Sequence, residues 1–349
     1  MSLNLSLLNE ICTTPGAPGF EQNVRELVLR EIRPLVDEVE IDNMGNVYAI
    51  KRGTRDKRVM VGAHMDEIGF MVTHIDDNGF IRFHTLGGFD PKTLTAQRVL
   101  IHGKKDVMGV MASKPIHVMT TDERNKVAKL SDYFIDTGLS AEEVKELVSI
   151  GDPITREREF IEMGNCVNGK SLDNRLAVFI LIETLRGLQK KKIPYDLYGV
   201  FTVQEEVGIR GANVSALRIN PDFGFGLDTT IAFDLPGAAK HEMITKLGDG
   251  TAIKIMDAST ICDYRMVAFM KKTADKHKIK WQPEILTAGG TDTAGIQRMT
   301  EGGSIAGAIS IPTRHLHQVI EMANKDDIQG SIDLLSKCIL EIDKHDWKF

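Results

Sequence analysis

The run Arg58-Val-Met-Val-Gly-Ala63 has no polar residue after its first position and hands over directly to His64-Met-Asp66. An apolar run without alternation belongs to a strand covered on both faces, as in a sheet packed between two layers of helices. The run Tyr195-Asp-Leu-Tyr-Gly-Val-Phe-Thr-Val-Gln204 is also largely apolar and stops on Glu205-Glu206. Paired carboxylates at a strand end concentrate negative charge at one edge of a sheet, so a cationic group, a metal ion first of all, is expected beside them.

The rest of the chain supports such a sheet. Segments 5–13 and 21–36 carry apolar residues at helical spacing on either side of Pro15-Gly16-Ala17-Pro18-Gly19, and 47–51 reads as a strand. From about Phe70 to Val167 the texture changes to short alternating segments, at 69–74, 79–84, 98–102 and 107–111, separated by turn formers such as Asp76-Asp-Asn-Gly79 and Gly87-Gly88. This predicts a small antiparallel barrel or sandwich. Helix–strand alternation then resumes, with helices at 174–189, 263–277 and 326–343 and strands at 195–204, 223–227, 282–287 and 304–310. The expected fold class is α/β: a doubly wound, mostly parallel sheet with helices on both faces, built from 1–69 and 168–349, plus an inserted β-barrel domain at 70–167.

Composition excludes several functions. The 349 residues include 43 basic and 49 acidic side chains, a net charge of −6 without the basic excess of a nucleic-acid binder. Cys12, Cys166, Cys262 and Cys338 are far apart, which suggests neither a disulfide scaffold nor a thiolate zinc site but free thiols in a reducing compartment. No apolar stretch approaches the roughly 20 residues that span a bilayer, so no membrane partner is expected and the protein reads as cytoplasmic. Met1-Ser2-Leu3 reads equally well as native or as an added leader.

Ligands of open α/β sheets bind at the carboxyl ends of strands, so polar residues there are the candidates. His64 and Asp66, at i and i+2, share a face if the strand geometry continues, one to hold a metal and the other to take the remaining imidazole proton. Asp173, before an apolar helix, reads as an N-cap, a metal ligand or both, since a carboxylate has lone pairs for two partners. Asp228 follows another apolar run, with a turn or cap as its plain alternative. His315-Leu-His317 offers two imidazoles, of which one is expected to face inward. The other histidines read as structural or surface residues, His117 least clearly. Together these nitrogen and oxygen donors, without thiolates, suit two zinc, cobalt or manganese ions.

The blocks Gly62-Ala-His-Met-Asp-Glu-Ile-Gly69, Asp132-Tyr-Phe-Ile-Asp-Thr-Gly138, Leu172-Asp-Asn-Arg175, Gln204-Glu-Glu-Val-Gly208, Leu227-Asp-Thr-Thr230, Gly289-Gly-Thr-Asp292 and Pro312-Thr-Arg-His-Leu-His317 resemble the dinuclear-metal aminopeptidases related to glutamyl aminopeptidase, deblocking aminopeptidase and the tetrahedral (TET) aminopeptidases. Members of that group are also labelled cellulase or endoglucanase homologues. The resemblance implies that Asp173 bridges two metals, that His64 and Asp228 complete one site, and that Glu206 and His317 complete the other. It makes Glu205 the general base and Asp66 the partner that orients His64. The implied activity is hydrolysis of the N-terminal residue from short peptides by hydroxide generated at two metal ions. The insert would be a dimerisation domain, through which dimers build a tetrahedral dodecamer. His315 departs from the aromatic residue expected there and introduces a competing imidazole. A related deacylase or carboxypeptidase, a glycosidase, and a non-catalytic peptide-binding assembly protein are the other readings. The native metal and the preferred N-terminal residue are not legible.

Overall fold

Strand Arg55–His64 lies in the middle of an eleven-stranded sheet. In the computed structural model, which describes residues 3–349, it is flanked by Tyr195–Thr202 and Phe223–Ile231, with Ile305–Arg314 next, all four parallel. Met1 and Ser2, and the question they raise about a leader, lie outside the described residues. Beyond Tyr195–Thr202 the sheet continues antiparallel through Val47–Lys51 to Glu38–Ile41. On the other side it runs antiparallel through Glu321–Asn324 and Cys166–Gly169 to Ile161–Met163. A branch from Ile305–Arg314 adds Thr251–Met256 antiparallel, then Trp281–Ile285 parallel to it. The parallel character thus belongs to the centre. The outermost strands are short, and they carry Glu38 and Glu40, Glu162, and Pro283.

Alternate side chains of the central strand enter different cores. Val59, Val61 and Ala63 pack with helices Leu5–Thr13, Gln22–Ile32, Leu172–Leu188, Tyr264–His277 and Lys325–Glu341, whereas Met60 packs with helices Arg210–Ile219 and Asp292–Arg298 on the opposite face. This is the two-faced burial that the unbroken apolar run requires. Gly224 and Gly226 let helix Asp292–Arg298 approach the sheet, since a Cβ on either would collide with Ile296 or Thr293. Side-chain caps set several helix starts: Asn4 accepts the Leu7 amide, Asp263 the Arg265 amide and Asn324 the Asp326 amide.

The β-rich insert forms a closed six-stranded barrel, in the order Gly69–Ile75, Ile81–Leu86, Phe134–Asp136, Asp106–Ala112, Arg98–His102, Pro153–Arg156. Its own core includes Phe70, Val72, Ile81, Ile101, Ile135 and Ile154. The chain re-enters the large sheet at Ile161–Met163, directly after the barrel closes.

A buried ionic cluster ties the end of the central strand to the start of helix Leu172–Leu188. Glu67, fully buried, lies 2.7 Å from Lys170 Nζ through both carboxylate oxygens, accepts a bond from Ser171 Oγ, and has Arg175 Nη2 3.6 Å away. Burial alone would raise the Glu67 pKa, but Lys170 and Arg175 together hold it below the usual carboxylate range. Arg175 Nη1 also donates to the carbonyls of Ile11 and Thr14, which fastens the N-terminal helix to the same point. Removing one partner leaves the others charged and out of water. Glu67→Gln is therefore expected to destabilise the fold by about 3–5 kcal/mol, measured as a loss of urea resistance.

Candidate metal centre

Six side chains converge at the carboxyl ends of the parallel strands. His64 is the last residue of its strand, Glu205 and Glu206 follow Tyr195–Thr202, and His317 follows Ile305–Arg314. Asp228 lies within Phe223–Ile231, paired with Ser310, because this strand extends four residues beyond the apolar run read as 223–227. Asp173 sits at the head of helix Leu172–Leu188 with non-helical dihedrals, and its carboxylate faces the cleft.

Two triads of donors share one residue. His64, Asp173 and Asp228 bring one ligand atom each within 4.8 Å of one another, as do Asp173, Glu206 and His317. His64 Nε2 is 3.5 Å from Asp173 Oδ1 and 3.8 Å from Asp228 Oδ1, while His317 Nε2 is 3.4 Å from Asp173 Oδ2 and 3.6 Å from Glu206 Oε2. Each imidazole thus presents Nε2 to the cluster and turns Nδ1 away. His64 Nδ1 bonds the Asp66 carbonyl at 3.1 Å and His317 Nδ1 the Gly88 carbonyl at 2.8 Å, the usual way a ligand imidazole is held in one tautomer. Glu205 approaches the first triad, with Oε2 3.8 Å from His64 Nε2.

The Asp66 carboxylate is 3.5 Å from His64 Nδ1, but its hydrogen bonds go elsewhere. It accepts the amides of Glu205 at 3.0 Å and Glu206 at 3.1 Å, so it holds the acidic pair as well as lying beside the imidazole. His315 belongs to neither triad, and His117 is exposed in the barrel turn Ile116–Val118.

Sequence reading missed Glu321, four residues after His317. Its carboxylate is fully buried and accepts the His317 amide at 2.8 Å and the Asp173 amide at 2.9 Å, joining two donors of one triad through their backbones. Lys254 was missed as well. It lines the cleft with its Nζ 2.8 Å from Glu284 and 3.3 Å from Asp257. Ser171, Gln204, His315 and His317 have φ between +56° and +61°. Such left-handed non-glycine residues cost about 1–3 kcal/mol each, and they cluster where geometry matters more than stability.

The electrostatics of the cluster call for cations. Burial, and then the charge of Asp173, push Glu206 up to about 8. Burial also drives Glu205 well above the carboxylate range, with Asp228 and Glu206 adding to the rise and His64 opposing it. Burial works against a charged imidazole, yet Asp173 and Glu206 prevail and lift His317 to about 10. His64 rises for the same kind of reason through Asp173, Asp228 and Asp66. Asp173, although buried, is held low by His317 and His64. Glu206 Oε1 is buried without a hydrogen-bond partner. An orphaned oxygen, two shared triads and a purely nitrogen–oxygen donor set fit divalent metal ions.

The triads form the floor of a cleft of about 520 Å³ whose walls include Ile209, Ile231, Leu286, Leu316, Gly289 and Gly290. A helix-flanked sheet with carboxylate and imidazole donors at the ends of its parallel strands, open to a cleft, is the arrangement of a metal-binding α/β protein. The pattern of the M42 glutamyl aminopeptidase family matches residues 45–334, and the chain belongs to that family of aminopeptidases. A TET aminopeptidase from the marine sediment archaeon Thaumarchaeota archaeon SCGC AB-539-E09 superposes with a TM-score of 0.94 at 36% identity, over 97% of this chain and 96% of that one. The lysyl aminopeptidase of Pyrococcus furiosus is 33% identical over 96% of both chains. The Pyrococcus horikoshii TET1 peptidase, which can assemble into a tetrahedron or a large octahedral shell, is 30% identical with a TM-score of 0.87, over 97% of this chain and 99% of that one.

Asp173→Asn weakens the donor common to both triads, so metal analysis after dialysis is expected to find less metal than in wild type. A second expectation concerns pH. The donors His64, His317 and Glu206 hold protons more tightly than usual in the metal-free cluster, and binding must displace them. Metal affinity, followed by titration with cobalt, should rise as pH increases from 6 to 9 and release protons into a weak buffer.

Proposed function

We propose that this aminopeptidase removes the N-terminal residue of short peptides with two divalent metal ions, one held by His64, Asp173 and Asp228 and the other by Asp173, Glu206 and His317. The observation that carries this reading is the sharing of Asp173 between two donor triads beside a separate carboxylate, Glu205. Zinc or cobalt suits the donors best, and manganese also tolerates them. When bound, such ions supply Lewis acidity for the scissile carbonyl and acidify water.

The chain's own groups account for the proton movements. Glu205 takes a proton from the attacking water and delivers it to the departing amine, one carboxylate serving both steps. Its burial and acidic neighbours raise its basicity, and Asp66 fixes its position through the Glu205 amide. Asp66 also lies beside His64 and helps to orient that ring.

The cleft favours an amine terminus. Asp173, Glu205, Glu206, Asp228 and Asp257 line it, while Lys254 is already paired with Glu284 and so offers little to the carboxylate that a carboxypeptidase must grip. Residues 1–69 with 168–349 form the catalytic unit in this proposal, and the insert at 70–167 serves dimerisation. Ile116, Val118 and Val127 are well exposed on the insert, which suits contact with another copy. Assembly of dimers into a dodecamer follows the tetrahedral form of the Pyrococcus horikoshii relative. The four free cysteines fit a reducing cytoplasm.

Metal-loaded wild-type protein incubated with short peptides should release the first residue, read by mass spectrometry; shortening from the other end would overturn the assignment. In the same assay Glu205→Gln should retain both ions and lose about 10²–10⁴-fold in kcat. Unchanged turnover at full metal content would remove Glu205 as the base.

A further inference from the structure

The two triads differ in what holds them. His64 and Asp228 are carried by the large sheet, and the first imidazole's Nδ1 bond stays within its own loop, at Asp66. His317 is held by the inserted segment from two sides. Gly88, between the barrel strand Ile81–Leu86 and the turn Pro91–Thr93, supplies the carbonyl for its Nδ1 at 2.8 Å. Arg156, the last residue of the last barrel strand, donates from Nη1 to the His317 carbonyl at 3.0 Å. The neighbouring Gly87 lies against the other donor of this triad, since a Cβ there would sit 3.3 Å from that of Glu206.

Arg156 is an expensive residue to keep in this place. It is 97% buried by its 3% exposure, and neither Nε nor Nη2 has a hydrogen-bond partner. Its guanidinium faces the Phe89 ring at 5.5 Å and Glu321 feels its charge. Glu321 in turn accepts the amides of His317 and Asp173. The His317 backbone is therefore gripped at its N–H by Glu321 and at its carbonyl by Arg156, in a left-handed conformation with φ of +61° that the residue would not favour unaided. A buried cation with most of its donors unpaired is not explained by stability.

We propose that Arg156 is a positioning residue for the His317 metal site: from the barrel it locks the His317 backbone and so sets the Asp173–Glu206–His317 triad, and it bonds neither His64 nor Asp228 of the other triad. The proposal rests on the two-metal reading above.

The test is a cobalt titration of the metal-free protein, followed by visible absorption, on wild type, Arg156→Met, Arg156→Lys and His317→Ala. Wild type is expected to fill two sites. Arg156→Met should bind one ion with wild-type affinity and the second about 10–100-fold more weakly. Its one-ion spectrum should match that of His317→Ala, and Arg156→Lys, which keeps a charged donor, should restore much of the second affinity. The intact first site shows that the variant is folded. Two ions bound as tightly as in wild type, or equal weakening of both, overturns the proposal. A wild-type protein that takes up only one ion overturns the two-metal reading itself, and this inference with it.

Discussion

Asp173, Glu205, Glu206 and Asp228 meet at the floor of one cleft although their charges repel. Unit charges about 4 Å apart at an effective dielectric near 20 interact by roughly 4 kcal/mol, so without cations the cluster relieves itself by holding protons. The raised Glu205 and Glu206 and the raised imidazoles are the form that relief takes. Much of the surrounding architecture keeps these groups from moving apart. The four parallel strands deliver His64, Glu206, Asp228 and His317 to one edge, and the Glu67–Lys170–Arg175 cluster ties the His64 segment to the helix that carries Asp173. Asp66 and Glu321 each bind two main-chain amides, so the acidic pair and the Asp173–His317 pair are restrained through backbone rather than side chain.

The fold was legible where burial is uniform. Apolar runs such as 58–63 and 195–204 mark strands covered on both faces, and the change to alternation after Phe70 marks the barrel. Strand Thr251–Met256 escaped because Lys254 interrupts its apolar character; that charge is buried against Glu284 and Asp257, partners that only the folded chain brings near. Helix Arg210–Ile219 escaped because glycines surround its start. At the site, His64, Glu205, Glu206 and His317 close or follow parallel strands, whereas Asp228 lies inside its strand, Asp173 heads a helix and His315 joins neither triad. Glu321 and Arg156 were invisible for a physical reason. They act on main-chain atoms of His317, and no pattern of side-chain types announces such a contact.

Asp173 also shows how a simple reading and a chemical one separate. Its place before a helix suits an N-cap, yet its carboxylate accepts no helix amide among the described residues and is directed at two imidazoles instead. The helix starts without it, from Ser171 in a left-handed conformation. The carboxylate is thereby free to serve both triads.

The short outer strands of the large sheet bear on how copies of the chain meet. Glu38–Ile41 presents two glutamates, Ile161–Met163 is only three residues long, and Trp281–Ile285 carries a proline that withholds an amide. The barrel is closed and has no edge to offer. A neighbouring molecule therefore finds no long bare backbone to extend as an added strand. Among the described residues, contact with a second copy would be made through side chains rather than by strand addition.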